Sequence, residues 1–241
     1  VGFDLLEIKL ADGTPCAGLN IVDHHTRWQT VWPLFCRMCE VTSAMLADVY
    51  EVAWAHWADH PREVSVDPGG HFRGLFKQMF AALGIPLSRT GTEAHWEAGQ
   101  TEIEGKVWKD SFERTCAELH ITKDEPARVR RGFFGTNRAH NNRSLPGGFT
   151  PAQWVTGSGV SLPTSLVDSS CNLGAQEEIA YGESEFRDRL LIQENCEVSF
   201  AKADSSSRLR RAMLGRSRPT RGPFHPGCQN LRSLCVEAEV S

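Results

Sequence analysis

The stretch VSVDPGGHFRGLFKQMFAALGIPLSRTGTEAHWEAGQTEIEGKVWK, residues 64–109, decides the fold. It opens with a short apolar strand that ends at Asp67 before a Pro-Gly-Gly turn, and it closes on a polar helix that carries Glu102. Two such carboxylates can share divalent cations when a third lies nearby, and Asp4 on the predicted first strand is that third. Because Mg²⁺ prefers oxygen ligands, the three carboxylates indicate a two-metal site that acts on a phosphate.

Each of these three assignments has an alternative. Asp67 precedes Pro-Gly-Gly, where aspartate commonly serves only to cap a turn. Asp23 competes with Asp4, because it also ends an apolar run. Glu104 competes with Glu102, but at about 100° per residue the two glutamates point to nearly opposite sides of a helix.

The first part of the chain predicts three antiparallel strands. Residues 1–8 and 17–23 alternate as strands around an Asp-Gly turn, which is a hairpin signal. Residues 28–34 form the third strand, and a helix rich in Ala, Met and Leu follows over residues 41–58. The order predicts an α/β fold with a mixed sheet.

The second part of the chain predicts alternating strands and helices. A strand at residues 63–66 is followed by a helix over residues 72–83, whose apolar residues recur at helical spacing before Gly84. A short strand at residues 85–89 precedes the site helix, which ends near residue 120. Further helices are predicted between residues 124 and 141, and over residues 175–214 with breaks near Gly182 and Ser205.

The composition is that of a globular protein. The 241 residues are 40% hydrophobic and 23% charged, and no apolar run reaches the roughly 18 residues that a bilayer-spanning helix needs. The start at Val1 is neither an initiator nor a signal peptide, so we expect a piece of a longer polyprotein. The eight cysteines lack the density of a secreted disulfide scaffold, which predicts reduced thiols in an intracellular protein.

The motifs, taken in order, resemble the integrase catalytic core of LTR retrotransposons and retroviruses. Residues 67–72 (DPGGHF) match the family's D-x-G-x-x-F turn, and residues 99–102 (GQTE) match its G-x-x-E. Residues 1–6 (VGFDLL) and 19–27 (LNIVDHHTR) resemble its first two strands, and residues 142–155 resemble the end of its core. The resemblance covers residues 1–157 well and the remainder loosely.

This resemblance implies a ribonuclease-H-like fold and metal-dependent DNA chemistry. Asp4, Asp67 and Glu102 would be the catalytic residues and would hold two Mg²⁺ or Mn²⁺ ions. The implied reactions are trimming of the element's DNA ends and their joining to target DNA, by a homo-oligomer that acts in the nucleus. Two alternatives stay open: an inactive or host-adopted nucleic-acid-binding module of the same fold, and a structure-specific nuclease.

The DNA contacts must come from separate basic groups, because the net charge of −4 does not favour phosphate binding. Lys106 and Lys109 fall on the same helix face as Glu102. A basic run without acidic residues follows near the C-terminus: Arg208, Arg210, Arg211, Arg216, Arg218 and Arg221. We expect residues 1–157 to form the core, 158–215 a loop and helical extension, and 216–241 a basic tail that resembles a truncated C-terminal DNA-binding domain.

Two further motifs receive weaker interpretations. Cys36 and Cys39, with His56 and His60, superficially copy a zinc-finger spacing. The predicted helix between the two pairs argues against zinc, so we expect the cysteines to be small buried hydrophobic residues and this fragment to hold no zinc. His24 and His25 match no ligand set and are expected at the surface or at a strand end.

Overall fold

Three antiparallel strands open the computed structural model, which describes residues 1–66, 69–89, 95–143, 148–157 and 184–214. They are β1 (Gly2–Lys9), β2 (Pro15–Val22) and β3 (Gln29–Pro33). Between β1 and β2, Thr14 N donates a 2.9 Å hydrogen bond to Asp12 Oδ1, and Gly13 adopts a φ of 77°. Glycine reaches this left-handed conformation without steric cost, and the predicted hairpin is confirmed.

Two parallel strands complete the sheet on the other side of β1. They are β4 (Val64–Val66), which pairs with β1, and β5 (Leu87–Arg89), which pairs with β4. The strand order β3-β2-β1-β4-β5 places β1 at the centre. The predicted five-stranded mixed sheet is therefore confirmed.

Helices connect and cover the strands. In chain order they are α1 (Ser43–Tyr50), α2 (His56–Ala58), α3 (Leu75–Ala82), α4 (His95–Leu119), α5 (Pro126–Asn141), α6 (Pro151–Thr156) and α7 (Ser184–Leu214). Short 3₁₀ turns cover Met38–Glu40 and Gly70–Phe72, and a π-helical turn, Glu51–Ala55, joins α1 to α2. Within the ranges described here, no helix combines the length and the apolar character that crossing a bilayer requires.

Two of the predicted helices differ from the observed ones. The helix predicted over residues 41–58 is interrupted by the π-helical turn, where an extra residue shifts the apolar face. The break predicted near Ser205 is wrong, because α7 continues through it to Leu214. Serine has a lower helix propensity than alanine, but the three serines at positions 205–207 do not terminate this helix.

The sheet separates two apolar layers, because successive residues of β1 point to opposite faces. Phe3 packs with Phe76 and Phe80 of α3 and with Tyr50 of α1 on one face. On the other face, a cluster from α4, α5 and α7 covers β1: Leu6, Ile8, Trp108, Phe112, Phe133, Ile192 and Cys196. The flanking helices of the predicted fold are therefore present on both faces.

Helix α7 contributes an apolar stripe to the second layer. Ile192, Cys196, Phe200 and Ala203 are buried and recur at intervals of three or four residues. This spacing places them on one side of a helix. The described residues up to Ser206 group into one compact unit, and a second unit begins at Ser207. The predicted C-terminal helical extension is thus present, whereas the boundaries at residues 157 and 215 stay predictions.

Asparagine side chains of α5 cover the open edge of the sheet at β3. The Asn137 amide exchanges two 3.0 Å hydrogen bonds with the backbone N–H and C=O of Val31. Asn141, one helical turn later, exchanges two 2.9 Å bonds with the backbone of Gln29. Each side chain replaces the backbone partner that a neighbouring strand would supply, so this part of the edge cannot recruit another strand.

We expect Asn141→Ala to lower the free energy of unfolding by about 2 kcal/mol, because it leaves the buried N–H and C=O of Gln29 without partners. Chemical denaturation of the purified protein measures this change. Asn142→Ala is the matched control, since Asn142 bonds to Arg138 through its backbone N–H. Equal stability of the two variants would show that the edge does not depend on Asn141.

Candidate active site

Asp4 lies on the central strand and faces α4. A methyl group at Gly2 would approach Thr101 Oγ1 to 2.5 Å, and one at Gly105 would approach Leu6 Cδ2 to 3.0 Å. Helix α4 therefore crosses β1 with its backbone close to the strand, both before and after Asp4. Because Gly2, Asp4 and Leu6 share one face of the strand, the half-buried Asp4 carboxylate lies under α4.

Glu102 follows Thr101 on α4, and its side chain is exposed. It therefore stands beside the point where the helix contacts β1, on the same side of the sheet as Asp4. Asp4 Oδ1 also accepts a 2.7 Å hydrogen bond from the Leu5 backbone N–H. The structure thus brings the elements that carry these two predicted ligands into contact.

The third predicted ligand, Asp67, lies outside the described residues. The last described residue of β4, Val66, pairs with Phe3, the residue immediately before Asp4. Among the described residues, no group of three His, Cys, Asp or Glu side chains could hold a metal ion. A site built from Asp4 and Glu102 would therefore need Asp67, and the convergence of the three residues stays a prediction.

The alternative ligand Asp23 is engaged in a turn. Its carboxylate accepts hydrogen bonds from the backbone N–H groups of His25 and Thr26, both at 3.2 Å, and from the Thr26 hydroxyl. Burial raises the pKa of Asp23, but these hydrogen bonds outweigh it and hold the pKa below its ordinary value. Asp23 therefore stabilises the turn between β2 and β3.

The alternative to Glu102, Glu104, is buried in a cluster of basic side chains. Its Oε2 lies 2.8 Å from His140 Nε2 and 3.5 Å from Arg143 Nη2, and its Oε1 lies 3.5 Å from Arg27 Nη1. Burial alone would raise the pKa of Glu104, but His140, Arg143 and Arg27 lower it to about 2. Glu104 therefore holds its charge inside the protein and points away from the exposed Glu102.

This buried cluster extends to α7. Arg143 Nη1 lies 2.6 Å from Asp204 Oδ1, and the Arg143 guanidinium stands 5.7 Å from the centre of the Phe200 ring. The His140 ring packs at a right angle to the same ring, with the two centres 5.4 Å apart. Glu104, His140, Arg143 and Asp204 thus join α4 to α7 through the C-terminal end of α5, and we call these four residues the buried ionic cluster.

Sequence reasoning missed this cluster because its members are far apart in the chain. Each is an ordinary charged residue in a polar helix, and Glu104 was considered only as a rival of Glu102. One signal was present: the apolar stripe of α7 at positions 192, 196, 200 and 203 places Asp204 beside the buried side of the helix.

The predicted DNA-binding residues fall into three groups. Lys106 is exposed one turn after Glu102, and the half-buried Lys109 lies 3.8 Å from Glu113. Arg208 and Arg210 are exposed on α7. The side chain of Arg211 and the whole of Arg216, Arg218 and Arg221 lie outside what the structure describes.

The Cys36 and Cys39 region forms a 3₁₀ turn followed by α1. Cys36 is half-buried, and burial, with Glu40 and Cys39 nearby, raises the pKa of its thiol. His60 Nδ1 lies 2.9 Å from the Tyr50 hydroxyl. Cys39 is exposed, which differs from the predicted buried position, because the turn at Met38–Glu40 directs this segment to the surface.

His24 was not predicted to belong to the site, but the structure places it there. Its neighbour His25 is exposed, as expected for a strand end. His24 is half-buried, and its Nε2 lies 3.2 Å from Ser65 Oγ on β4. A methyl group at Gly2 would also approach this nitrogen to 2.7 Å. No sequence pattern distinguishes the two histidines, because only the packing of β1, β4 and α4 does so.

The fold has counterparts among solved structures. A chain of the simian T-cell lymphotropic virus intasome, in complex with the PP2A regulatory subunit B56 gamma, matches with a TM-score of 0.50 and 16% identity. That match covers 67% of this chain and 55% of the viral one. The HTLV-2 integrase catalytic core in complex with magnesium gives a TM-score of 0.48 at 15% identity, covering 63% and 92% of the two chains.

The BIV integrase catalytic core gives a TM-score of 0.48 at 14% identity, covering 65% of this chain and 92% of its own. No protein family matches the sequence, and no curated protein matches it as a relative. At these identities, structural likeness establishes the fold and leaves activity to be tested. The sheet order, the flanking helices and the intasome match together give this chain the ribonuclease-H-like fold of retroviral integrase catalytic cores.

Proposed function

We propose that this chain is the catalytic core of a retroelement integrase, which trims DNA ends and joins them to target DNA. The observation that carries the proposal is the crossing of α4 over β1. It places Glu102 and Asp4 on one side of the sheet, next to the strand that leads to Asp67. The HTLV-2 integrase core was solved in complex with magnesium, in dimeric and trimeric forms, and those properties are proposed for this chain by likeness of fold.

The donor set fits the proposed metal. Asp4, Asp67 and Glu102 offer only carboxylate oxygens, which hard cations such as Mg²⁺ and Mn²⁺ prefer. Two bound ions would activate the attacking hydroxyl and neutralise charge on the leaving oxygen. The half-buried Asp4 supplies a fixed ligand on the central strand, whereas the exposed Glu102 remains accessible to a polynucleotide.

Lys106 and the C-terminal arginines would hold the DNA. Lys106 is exposed one turn from Glu102, where an ammonium group can contact a phosphate next to the reacting one. Lys109 would contribute after exchanging its 3.8 Å ion pair with Glu113 for a phosphate. We further propose that the protein works as a homo-oligomer in the nucleus, where the target DNA lies.

A catalytically inactive nucleic-acid-binding module is the alternative. The net charge of −4 does not distinguish it from an active integrase, because both functions need basic residues that contact phosphates. A structure-specific nuclease would use the same three carboxylates but would transfer the phosphoryl group only to water. The three functions therefore differ in which nucleophile, if any, the site accepts.

One experiment separates these functions. The purified chain is incubated with supercoiled plasmid and a fluorescent blunt duplex bearing free 3′-hydroxyl ends, with Mg²⁺ or Mn²⁺ and with chelator. We expect fluorescent label to become covalently joined to plasmid DNA only when metal is present. Plasmid nicking without joining would identify a nuclease, and DNA binding without either product would identify an inactive module; either result overturns the proposal.

The salt dependence of DNA binding tests the predicted interface. Each phosphate contact that is lost should reduce the slope of log affinity against log salt by roughly one unit. Changing all six C-terminal arginines to glutamine is therefore expected to weaken binding to every DNA sequence and to flatten the salt dependence. Titrations of parent and variant over a range of salt concentrations measure both effects.

The paired variant Lys106→Gln/Lys109→Gln provides the comparison. It should reduce joining more than it reduces bulk affinity, because these lysines stand on the helix that carries Glu102. Superimposable salt titrations for the six-arginine variant and the parent would show that the C-terminal arginines do not contact DNA.

A further inference from the structure

His24 lies where three elements of the candidate site meet. Its Nε2 is 3.2 Å from Ser65 Oγ on β4. The same nitrogen would lie 2.7 Å from a methyl group at Gly2 on β1, and Thr101 Oγ1 on α4 would lie 2.5 Å from that methyl. The imidazole, the Thr101 hydroxyl and the Gly2 backbone therefore share one small space, which only a glycine at position 2 leaves open.

Each of these three neighbours is close in sequence to a proposed metal ligand. Gly2 precedes Asp4 by two residues, and on a strand this spacing keeps both on one face. Ser65 precedes Asp67 by two residues, and Thr101 directly precedes Glu102. His24 thus bonds to β4 and packs against Gly2 of β1, next to the point where Thr101 of α4 approaches the same glycine.

The Ser65 hydroxyl also contacts the Val1 carbonyl oxygen. When it donates to that oxygen at 3.5 Å, its lone pairs can accept a hydrogen bond from His24 in the tautomer that carries the hydrogen on Nε2. Ser65 is buried, and a bond to a buried hydroxyl restrains the imidazole more than a solvent-exposed bond would. His24 therefore ties the turn after β2 to β4 while it packs against β1.

We propose that His24 is a positioning residue, which fixes the place of the Asp4 carboxylate beside α4 and Glu102 through its hydrogen bond to Ser65 and its packing against Gly2. This inference rests on the proposed function, since it concerns the metal site of that reaction. His24 acts through its neighbours and is not itself a metal ligand or a proton-transfer group. Its loss should weaken ion binding, because metal affinity depends on the residues that orient the ligands.

The test compares His24→Leu with His24→Gln. Leucine fills similar space without a donor, whereas the glutamine amide can place an N–H near the position of the imidazole Nε2. Mn²⁺ binding to the DNA-free protein is measured by electron paramagnetic resonance, and the joining reaction is followed over a range of Mg²⁺ concentrations. His25→Leu is the matched control, because His25 is the adjacent, exposed histidine.

We expect His24→Leu to weaken Mn²⁺ binding by about tenfold and to raise the Mg²⁺ concentration that gives half-maximal joining by a similar factor. His24→Gln should restore most of both, and His25→Leu should change neither. A purely structural histidine would instead lower the melting temperature in chelator without a separate loss of metal affinity. That pattern, or unchanged Mn²⁺ binding in His24→Leu, would overturn the inference while leaving the proposed function intact.

The same measurements distinguish failure of the proposed function from failure of the positioning role of His24. If the parent protein itself binds no Mn²⁺ and joins no DNA, the metal site is absent, and both the proposed function and the role of His24 are overturned. If the parent binds Mn²⁺ and all three histidine variants bind it equally, only the positioning role is wrong.

Discussion

Glu102→Gln is expected to reduce metal-dependent DNA joining by about a thousandfold or more, because it removes one negative charge from the site that would hold the ions. The side chain is exposed, so the melting temperature should stay close to that of the parent protein. DNA affinity should also change little, since the substitution removes no phosphate contact. The joining assay, thermal unfolding and DNA titration measure the three quantities on one preparation.

The matched control is Glu118→Gln, the same substitution at an exposed position near the C-terminal end of α4. Glu118 pairs with Lys202 at 3.7 Å, and a surface pair of this kind contributes at most about 1 kcal/mol. Joining should therefore be unaffected in this variant. Asp67→Asn is expected to behave like Glu102→Gln. Joining above a few per cent of the parent rate in either variant, with metal supplied, would contradict the assignment of the ligands.

Most secondary-structure elements could be predicted because each is encoded by a local pattern. The Asp12-Gly13 turn predicts the hairpin of β1 and β2, and the apolar spacing before Gly84 predicts α3. The order of strands and helices then restricts the sheet to a mixed one. These signals depend on neighbours within a few residues, so they can be detected in a single sequence.

The relation between distant side chains could not be predicted in the same way. His24 and Ser65 are separated by 41 residues, and Arg143 and Asp204 by 61. Nothing in the local sequence of any of these residues records its partner. The edge covering by Asn137 and Asn141 is another example, because an asparagine on a helix ordinarily predicts a solvated position.

Helix α4 shows how a local sequence pattern and long-range packing together determine the direction of a side chain. Helical periodicity alone predicts that Glu102 and Glu104 point in different directions. It cannot decide which of them enters the protein, because both are next to Ile103 in an otherwise polar stretch, GQTEIEGK. The approach of Gly105 to Leu6 and Asn20 of the sheet decides it, by directing Glu104 toward the end of α5 and leaving Glu102 at the surface.

Glu104→Gln is expected to lower the free energy of unfolding by roughly 3 kcal/mol near neutral pH, the amount that corresponds to a carboxyl pKa lowered from 4.5 to about 2. The substitution keeps the shape and a hydrogen-bonding group, but it leaves His140, Arg143 and Arg27 with one negative charge fewer. Removing one partner of a buried ionic cluster is costly, because the remaining charges stay desolvated. Chemical denaturation in chelator-containing buffer measures the loss.

The direction of the pKa shift determines how the stabilisation by Glu104 changes with pH. Because the pKa of Glu104 is lower in the folded protein than in the unfolded chain, its stabilisation is fully present above about pH 5 and declines as the pH falls toward 2. The difference in unfolding free energy between parent and Glu104→Gln should therefore shrink over this interval. Glu102→Gln, the same change at an exposed side chain two residues earlier, is the control, and it should cost much less unfolding free energy at neutral pH. A constant gap between parent and Glu104→Gln from pH 7 to pH 2 would mean that packing, and not the charge of Glu104, joins α4 to the end of α5 and to α7.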